Sequence, residues 1–204
     1  MHEATIWSGD RVVIRPIRAD DKQWLLDVFH RLSPESRYRR FFSPMKELGA
    51  SQLHYLTEVD HHTHEALVAS DPKTGEGLGV ARFIRWDSHP TVAEVAVTVV
   101  DDWQGRGLGT ELLHELADRA REEGVKRFNA MVLDSNRAML EVFRELADVR
   151  VTGRDAGVVE LLMDMPAEGI PVGLSHTVRA AASGELTLDP RHPTADADAP
   201  SPPE

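Results

Sequence analysis

The stretch Gln104-Gly105-Arg106-Gly107-Leu108-Gly109-Thr110 organises the reading of this chain. Before it lies the strongest strand signal, residues 91–100, with valine at 92, 95, 97, 99 and 100. Branched side chains of that kind suit a pleated, half-buried surface. After it, residues 110–121 place Leu112, Leu113, Leu116, Ala117 and Ala120 on one helical face, and Gly124 stops the helix. Glycines between strand and helix let the backbone turn tightly and approach a ligand without a Cβ in the way. The amides of the first helical turn have no partner inside the helix, and the helix dipole adds positive potential there. Together they form an anion site suited to a pyrophosphate. A tight turn that binds nothing is the plainer alternative. Two common phosphate loops fit poorly. A Walker loop needs Lys-Ser or Lys-Thr after its last glycine, but Thr110 follows Gly109 directly. The dinucleotide pattern needs a third glycine where Thr110 stands, and it belongs to a first strand–helix unit, not to mid-chain. The spacing points to a different pyrophosphate carrier.

Working outward, the body alternates strands and helices. Residues 11–17 read as an opening strand. Asp20 and Gln23 form a capping box for a helix that buries Trp24, Leu25, Val28, Phe29 and Leu32. Ser33-Pro34 starts a second helix, and residues 36–42 form a short helix or loop beside a cleft. Residues 66–70 and 78–86 read as strands around a turn at 71–77, and Ser88-His89-Pro90 breaks the chain again. Residues 127–133 are a strand, 136–146 a helix with Met139, Leu140 and Phe143 inward, and 158–163 the closing strand after the Asp155-Ala156-Gly157 turn. Hairpins mixed with strand–helix–strand units indicate an α/β or α+β fold with a mixed sheet.

At 204 residues the chain is long enough for one well-buried core. Asp and Glu number 34 against 23 Lys and Arg, a net charge of -11. That balance argues against nucleic-acid or anionic-membrane partners. Cysteine is absent, which excludes disulfides, thiolate metal sites and a cysteine nucleophile. No signal peptide or apolar run long enough to span a membrane is visible, so a cytoplasmic protein is the default expectation. Residues 184–204 hold five prolines and five acidic residues, and lack Phe, Tyr, Trp, Ile and Val. They read as a disordered acidic tail. The domain is therefore expected over 1–183, with its core at about 11–164.

The residues Gln104 to Gly109, the valine strand before them, Trp103 and the later Asn136-Arg137-Ala138-Met139 resemble GCN5-related N-acetyltransferases, the GNAT superfamily. Leu32-Ser33-Pro34-Glu35-Ser36, Tyr38, Arg40-Phe41-Phe42 and Ala93-Glu94-Val95-Ala96-Val97 are similar to the acetyltransferase domain of bacterial protein lysine acetyltransferases. The resemblance implies a strongly twisted mixed sheet of about six or seven strands flanked by helices, and acetyl-CoA as co-substrate. The backbone of Val97, Thr98 and Val99 would pair with the pantetheine arm, where the family's strand splays to open a slot for the thioester. Gln104, Gly105, Arg106, Gly107, Leu108, Gly109 and Thr110 would hold the pyrophosphate through backbone amides. Asn136 would contact the cofactor near its thioester end, and Arg106 and Arg137 would meet outer phosphates by charge.

Acetyl transfer needs a neutral amine, and a lysine amine has a reference pKa near about 10.4. A carboxylate has to take its proton. Glu94 lies on the valine strand, and it matches the position of the glutamate proposed as general base in the similar lysine acetyltransferases. The plainer reading is an edge glutamate facing solvent. Many family members place a tyrosine seven residues after the asparagine to protonate the leaving thiolate. Here Phe143 stands there and has no proton to give. Tyr38 is the candidate acid in its place. His61, His62 and His64 invite a metal reading, but the run lacks the His-Glu-x-x-His pattern, so a surface cluster is expected and no metal. Asp60 is an alternative lure for a cationic acceptor. The expected acceptor is a protein lysine. A polyamine, amino sugar or amino acid is the alternative, and a non-catalytic acyl-CoA sensor the rival from another class. A homodimer is the default oligomer.

Overall fold

In a computed structural model that describes residues 1–165, the chain builds one eight-stranded mixed sheet. The expected tail at 184–204 and the boundary before it lie outside the described residues. In chain order the elements are β1 (His2–Thr5), β2 (Arg11–Pro16), α1 (Lys22–His30), α2 (Pro34–Phe41), α3 (Ala50–Thr57), β3 (His64–Ser70), β4 (Gly77–Trp86) and β5 (His89–Val99). There follow α4 (Leu108–Glu122), β6 (Arg127–Leu133), α5 (Arg137–Leu146), β7 (Asp148–Asp155) and β8 (Val158–Asp164). The sheet order is β1-β2-β3-β4-β5-β6-β8-β7. Neighbours are antiparallel except β5 and β6, which run parallel because α4 carries the chain back across the sheet.

The mixed α/β sheet agrees with expectation, and it is wider than six or seven strands. Two strands were not named from the sequence: β7, which pairs with β8 across the expected turn, and β1, a four-residue polar edge that pairs with β2. The β1 sequence carries no apolar alternation, so only the pairing reveals it. Helix α3 was likewise not foreseen.

Two local readings need correction. Asp20 does not cap α1. The N-cap is Asp21, which makes no side-chain cap bond to the helix. Its carboxylate instead accepts two hydrogen bonds from Arg15, both 2.7 Å, and one from the Arg18 N–H. Partial burial alone would push the Asp21 carboxyl up; Arg15 and the Arg18 N–H hold it below the usual carboxylate range. Gln23 donates to Asp27 rather than closing a box. Second, Pro90 lies inside β5 rather than in a break, and its carbonyl accepts from Arg85 Nε. The Ser33-Pro34 start holds: Ser33 Oγ accepts from the Ser36 N–H, with proline in the first turn.

The period of two along β4 and β5 sorts their side chains onto opposite faces. Ala81, Phe83, Ala93 and Val95 face α4 and α5, whose Leu112, Leu116, Phe143 and Leu146 complete one apolar cluster. Val80 and Val100 join Ala66 and Val68 in a second cluster beneath α1, with Leu25, Val28, Phe29 and Leu53. Phe143 is 2% exposed in the first cluster, so it is a packing residue and not a failed acid.

Candidate active site

Strand β5 parts from β6 halfway along its length. Val92, Ala93 and Glu94 pair with Arg127, Phe128 and Asn129, and the pairing goes no further. From Ala130 onward β6 pairs only with β8. Glu94 thus stands at the fork, exposed, at the last paired position. On its other edge β5 stays bonded to β4 through Val99.

The pleat fixes which backbone groups face the gap. The Val100 N–H donates to Leu78 O at 2.9 Å, toward β4. Peptide groups alternate along a strand, so those of Thr98 also turn to β4, while those of Val97 and Val99 turn to the open edge. Gln104 Nε2 reaches the Val99 carbonyl there at 3.0 Å. Of the three residues expected to pair with a pantetheine arm, Val97 and Val99 present backbone to the gap. Thr98 presents its backbone to β4 and its side chain to the cleft described below.

The glycine loop follows directly. Gly105 and Gly107 have φ of +72° and +91°, a region that side-chain-bearing residues rarely adopt. Gly107 also needs the space: a Cβ there would sit 2.7 Å from Trp7 Cβ. The β1–β2 turn packs onto the loop, and the Ser8 N–H donates to Arg106 O at 3.2 Å. Gly107 is the N-cap of α4, so the helix starts two residues before its expected first position, and Gly109 lies inside it. The first intrahelical bond runs from the Glu111 N–H to Gly107 O, which leaves the amides of Leu108, Gly109 and Thr110 without a helical acceptor. These are donors of the kind a pyrophosphate accepts.

Other expected contacts are committed within the protein. The Gln104 N–H donates to Asp101 O. The Arg106 guanidinium stacks 5.0 Å over Trp103 and pairs with Asp10 at 3.4 Å. Asn136 caps α5, its Oδ1 accepting from the Met139 N–H at 3.3 Å, while Arg137 is exposed. Asp101 ties the far side of the loop to α2. Its carboxylate accepts from the Ser33 N–H, Ser33 Oγ and Ser36 Oγ, each at 2.8 Å. Gln104 Nε2 adds a bond to Ser36 Oγ.

On the α1–α3 side of β4 and β5 lies a cleft of about 420 Å³, counting its open mouth. Apolar residues of α1, including Leu25, Val28 and Phe29, wall it, and Ala96 and Thr98 of β5 form part of its floor. Arg40 of α2 and Arg82 of β4 also line it. Arg82 is only 5% exposed. It contacts His64 Nε2 at 3.0 Å and donates to Leu56 O at 3.2 Å. Burial, joined by the charge of Arg40, pushes Arg82 down to about 9. Burial likewise lowers Arg40, against the opposing field of Glu94. Sequence reasoning missed this pair, because Arg82 sits in an apolar strand where alternation marks it as solvent-facing.

The two tyrosines separate. Tyr38 is 45% exposed on α2. Tyr55 on α3, not chosen in the sequence reading, is the one that lies beside the arginine cluster, its ring 5.2 Å from that of His64, the partner of Arg82. The histidine run resolves into individual partners. His54 pairs with Glu58, His61 with Glu65, His62 with Glu123, and His64 with Arg82. Asp60 accepts the N–H groups of His62, Thr63 and His64 and the Thr63 hydroxyl, which makes it a turn brace. Among the described residues no three His, Asp or Glu side chains gather into a metal site, and no helix is long and apolar enough to cross a membrane.

Comparison with known proteins gives a consistent result. The profile of the acetyltransferase (GNAT) family matches residues 25–147. A protein of Mycolicibacterium smegmatis named acetyltransferase Pat is 40% identical over 159 residues, which is 78% of this chain and 47% of that protein. This chain therefore spans about half the length of that relative. Acetyltransferase PA5475 of Pseudomonas aeruginosa is 34% identical, covering 66% of this chain and 73% of its own. Among solved structures, the GNAT domain of S. lividans PAT superposes with a TM-score of 0.75 at 34% identity, covering 80% of this chain and 96% of that one.

Proposed function

This chain belongs to the acetyltransferase (GNAT) family, and on that premise we propose that it moves the acetyl group of acetyl-CoA to a primary amine by direct attack. The observation that carries the reading is the departure of β5 from β6 immediately after Glu94. It leaves a proton acceptor, an unpaired strand edge and a glycine-capped helix start along one line. When bound, acetyl-CoA supplies an activated thioester. Val97 and Val99 meet its pantetheine arm through backbone groups, and Gly105 to Thr110 meet its pyrophosphate, with Asn136 and Arg137 at the margin. Thr98 and Gln104 shape the slot from behind.

Glu94 accepts the proton that the amine nitrogen sheds as the C–N bond forms and the C–S bond breaks. Its exposure keeps the carboxylate in contact with water. The departing thiolate takes a proton from water at the open side or from Tyr38. Unchanged kcat in Tyr38→Phe assigns that proton to water. With no cysteine in the chain, an acetyl-cysteine relay is closed and the amine attacks in one transfer.

A lysine side chain on a protein is the acceptor that the likeness around Leu32 to Phe42 suggests. A second reading, a small amine, is favoured by a specific observation: the cleft beside β5 is only about 420 Å³ and carries two arginines. The test is thiol release from acetyl-CoA over a panel of amines and lysine-bearing proteins, with Glu94→Gln alongside. Turnover with at least one class, lost in Glu94→Gln at neutral pH, supports the enzyme. Tight acetyl-CoA binding with no turnover on any acceptor leaves a binding module instead.

A further inference from the structure

Two guanidinium groups line the same apolar cleft, one of them nearly inaccessible to water, and among the described residues neither has an ion pair. Buried cations normally stand opposite carboxylates, because desolvation otherwise outweighs what they contribute. Arg15 shows the ordinary solution in this same protein, paired twice with Asp21. Among the described residues the partners of Arg82 are neutral, His64 and the Leu56 carbonyl, and the like charge of Arg40 bears on it. Among the described residues no carboxylate stands within ion-pair distance of either guanidinium. The cleft opens beside β5, where Ala96 and Thr98 form its floor, and Glu94 lies near enough for its field to reach Arg40. Glu94 is one β-period from Ala96, which pairs with Arg82, so Glu94, Ala96 and Arg82 share one face of the sheet, with leucine and phenylalanine lining the cleft beyond.

We propose that this cleft is a carboxylate subsite for the acceptor: Arg40 and Arg82 hold the carboxylate of an α-amino acid, its amine lies toward Glu94, and its apolar side chain packs against Leu25, Phe29 and Leu56. The assignment rests on the acetyltransfer reading and narrows its acceptor class. An α-amino acid carries amine and carboxylate on one carbon, which matches a carboxylate, Glu94, on the same sheet face as Arg82 and one β-period from the residue paired with it. Guanidinium is also the group best suited to hold a carboxylate by two parallel hydrogen bonds. The reaction balances as an ordinary transfer. The amine nitrogen gains the acetyl carbon and loses a proton to Glu94, coenzyme A leaves as its thiol, and the carboxylate is unchanged.

The experiment measures thiol release from acetyl-CoA with L-leucine, L-methionine and L-phenylalanine, each against its carboxamide, and with a lysine peptide lacking acidic residues. The expected result is a kcat/KM at least about tenfold higher for an amino acid than for its carboxamide. In Arg40→Gln and Arg82→Gln that ratio falls to near one, while the carboxamide rate is retained within a few-fold. Acetyl-CoA affinity by calorimetry, unchanged in both variants, separates loss of the subsite from loss of fold. Equal rates for acid and carboxamide in the unaltered protein overturn the assignment, as does a preference that survives both substitutions. So does turnover confined to the lysine peptide, although the acetyltransfer reading then stands. A carboxylate on the acyl donor offers the same chemistry. With succinyl-CoA and isoamylamine the acceptor assignment predicts no gain over acetyl-CoA, and an arginine-dependent gain would overturn it by moving the carboxylate to the donor. Failure to bind acetyl-CoA at all overturns both readings.

Discussion

Phe83 and Arg82 are neighbours on β4 and belong to different worlds. Phe83 is fully buried in an apolar cluster with Phe128 and residues of α4 and α5. Arg82 is also buried, yet it faces a cleft, a second arginine and a neutral histidine. One face of the sheet is closed by packing, and the other is held apart by charge. Burial alone therefore says little about role. What separates the faces is the chemistry of the buried groups: on the α1–α3 side a buried guanidinium is held by a histidine and a backbone carbonyl rather than by a carboxylate.

The comparison can be broken first at its closed face. Phe83→Ala should cost about 3–5 kcal/mol, since the surrounding strands and α4 cannot collapse into the space. A urea denaturation curve reads that directly. Arg82→Met should cost less than half as much, because it removes a like charge from beside Arg40 along with two hydrogen bonds. Equal losses would erase the distinction between the faces.

The next effect belongs to the open face. Glu94→Gln should lower kcat/KM at neutral pH by at least about a hundredfold, with the melting temperature unchanged because Glu94 is exposed. Steady-state rates across pH should show the deficit narrowing as the amine begins to lose its proton unaided.

A smaller loss is expected where the two faces are joined. Asp101→Asn should cost about 1–2 kcal/mol and raise KM for acetyl-CoA several-fold, since the carboxylate ties Ser33 and Ser36 of α2 to the loop. Thermal melts and initial rates separate the two consequences.

The smallest effect is a pH slope. Burial, joined by the charge of Arg82, lowers His64 to about 4 from its ordinary 6.5. The folded state therefore binds fewer protons than the unfolded chain between those values, so stability is complete above about 6.5 and falls as pH drops toward 4. Between pH 6.5 and 4 the melting temperature of the protein should fall more steeply than that of His64→Asn, which lacks the titrating ring. Identical slopes throughout would remove His64 from the cluster.

The elements that carry strong local patterns were readable from the amino acids. The valines of β5, the glycines at 105 and 107 and the apolar stripe of α4 each follow from a period or a φ requirement, and together they placed the loop correctly. β1 was not readable, because His2–Thr5 is short, polar and defined only by its partner strand. Yet that hairpin supplies Trp7, which packs on Gly107. The cap of α1 was misread by one position because adjacent aspartates offer the same local chemistry, and only Arg15, brought in by β2, selects Asp21. Arg40 and Arg82 were missed for a related reason. Alternation says which residues share a face, but a cleft exists only once α1, α2 and α3 settle over that face. Tyr55 was passed over because α3 was not seen. Its ring is carried to His64, the partner of Arg82, by a helix that has little apolar period of its own.

The central claim is that acetyl-CoA lies in the fork between β5 and β6 with its pyrophosphate on the start of α4. Amide hydrogen exchange, with and without acetyl-CoA, tests it most directly. The account predicts slowed exchange at Val97, Val99 and Gly105 to Thr110, with Thr98, already bonded to β4, and strands β1 and β2 unchanged. Calorimetrically proven binding that leaves those amides unprotected, or that protects α1 and α2 instead, would contradict it.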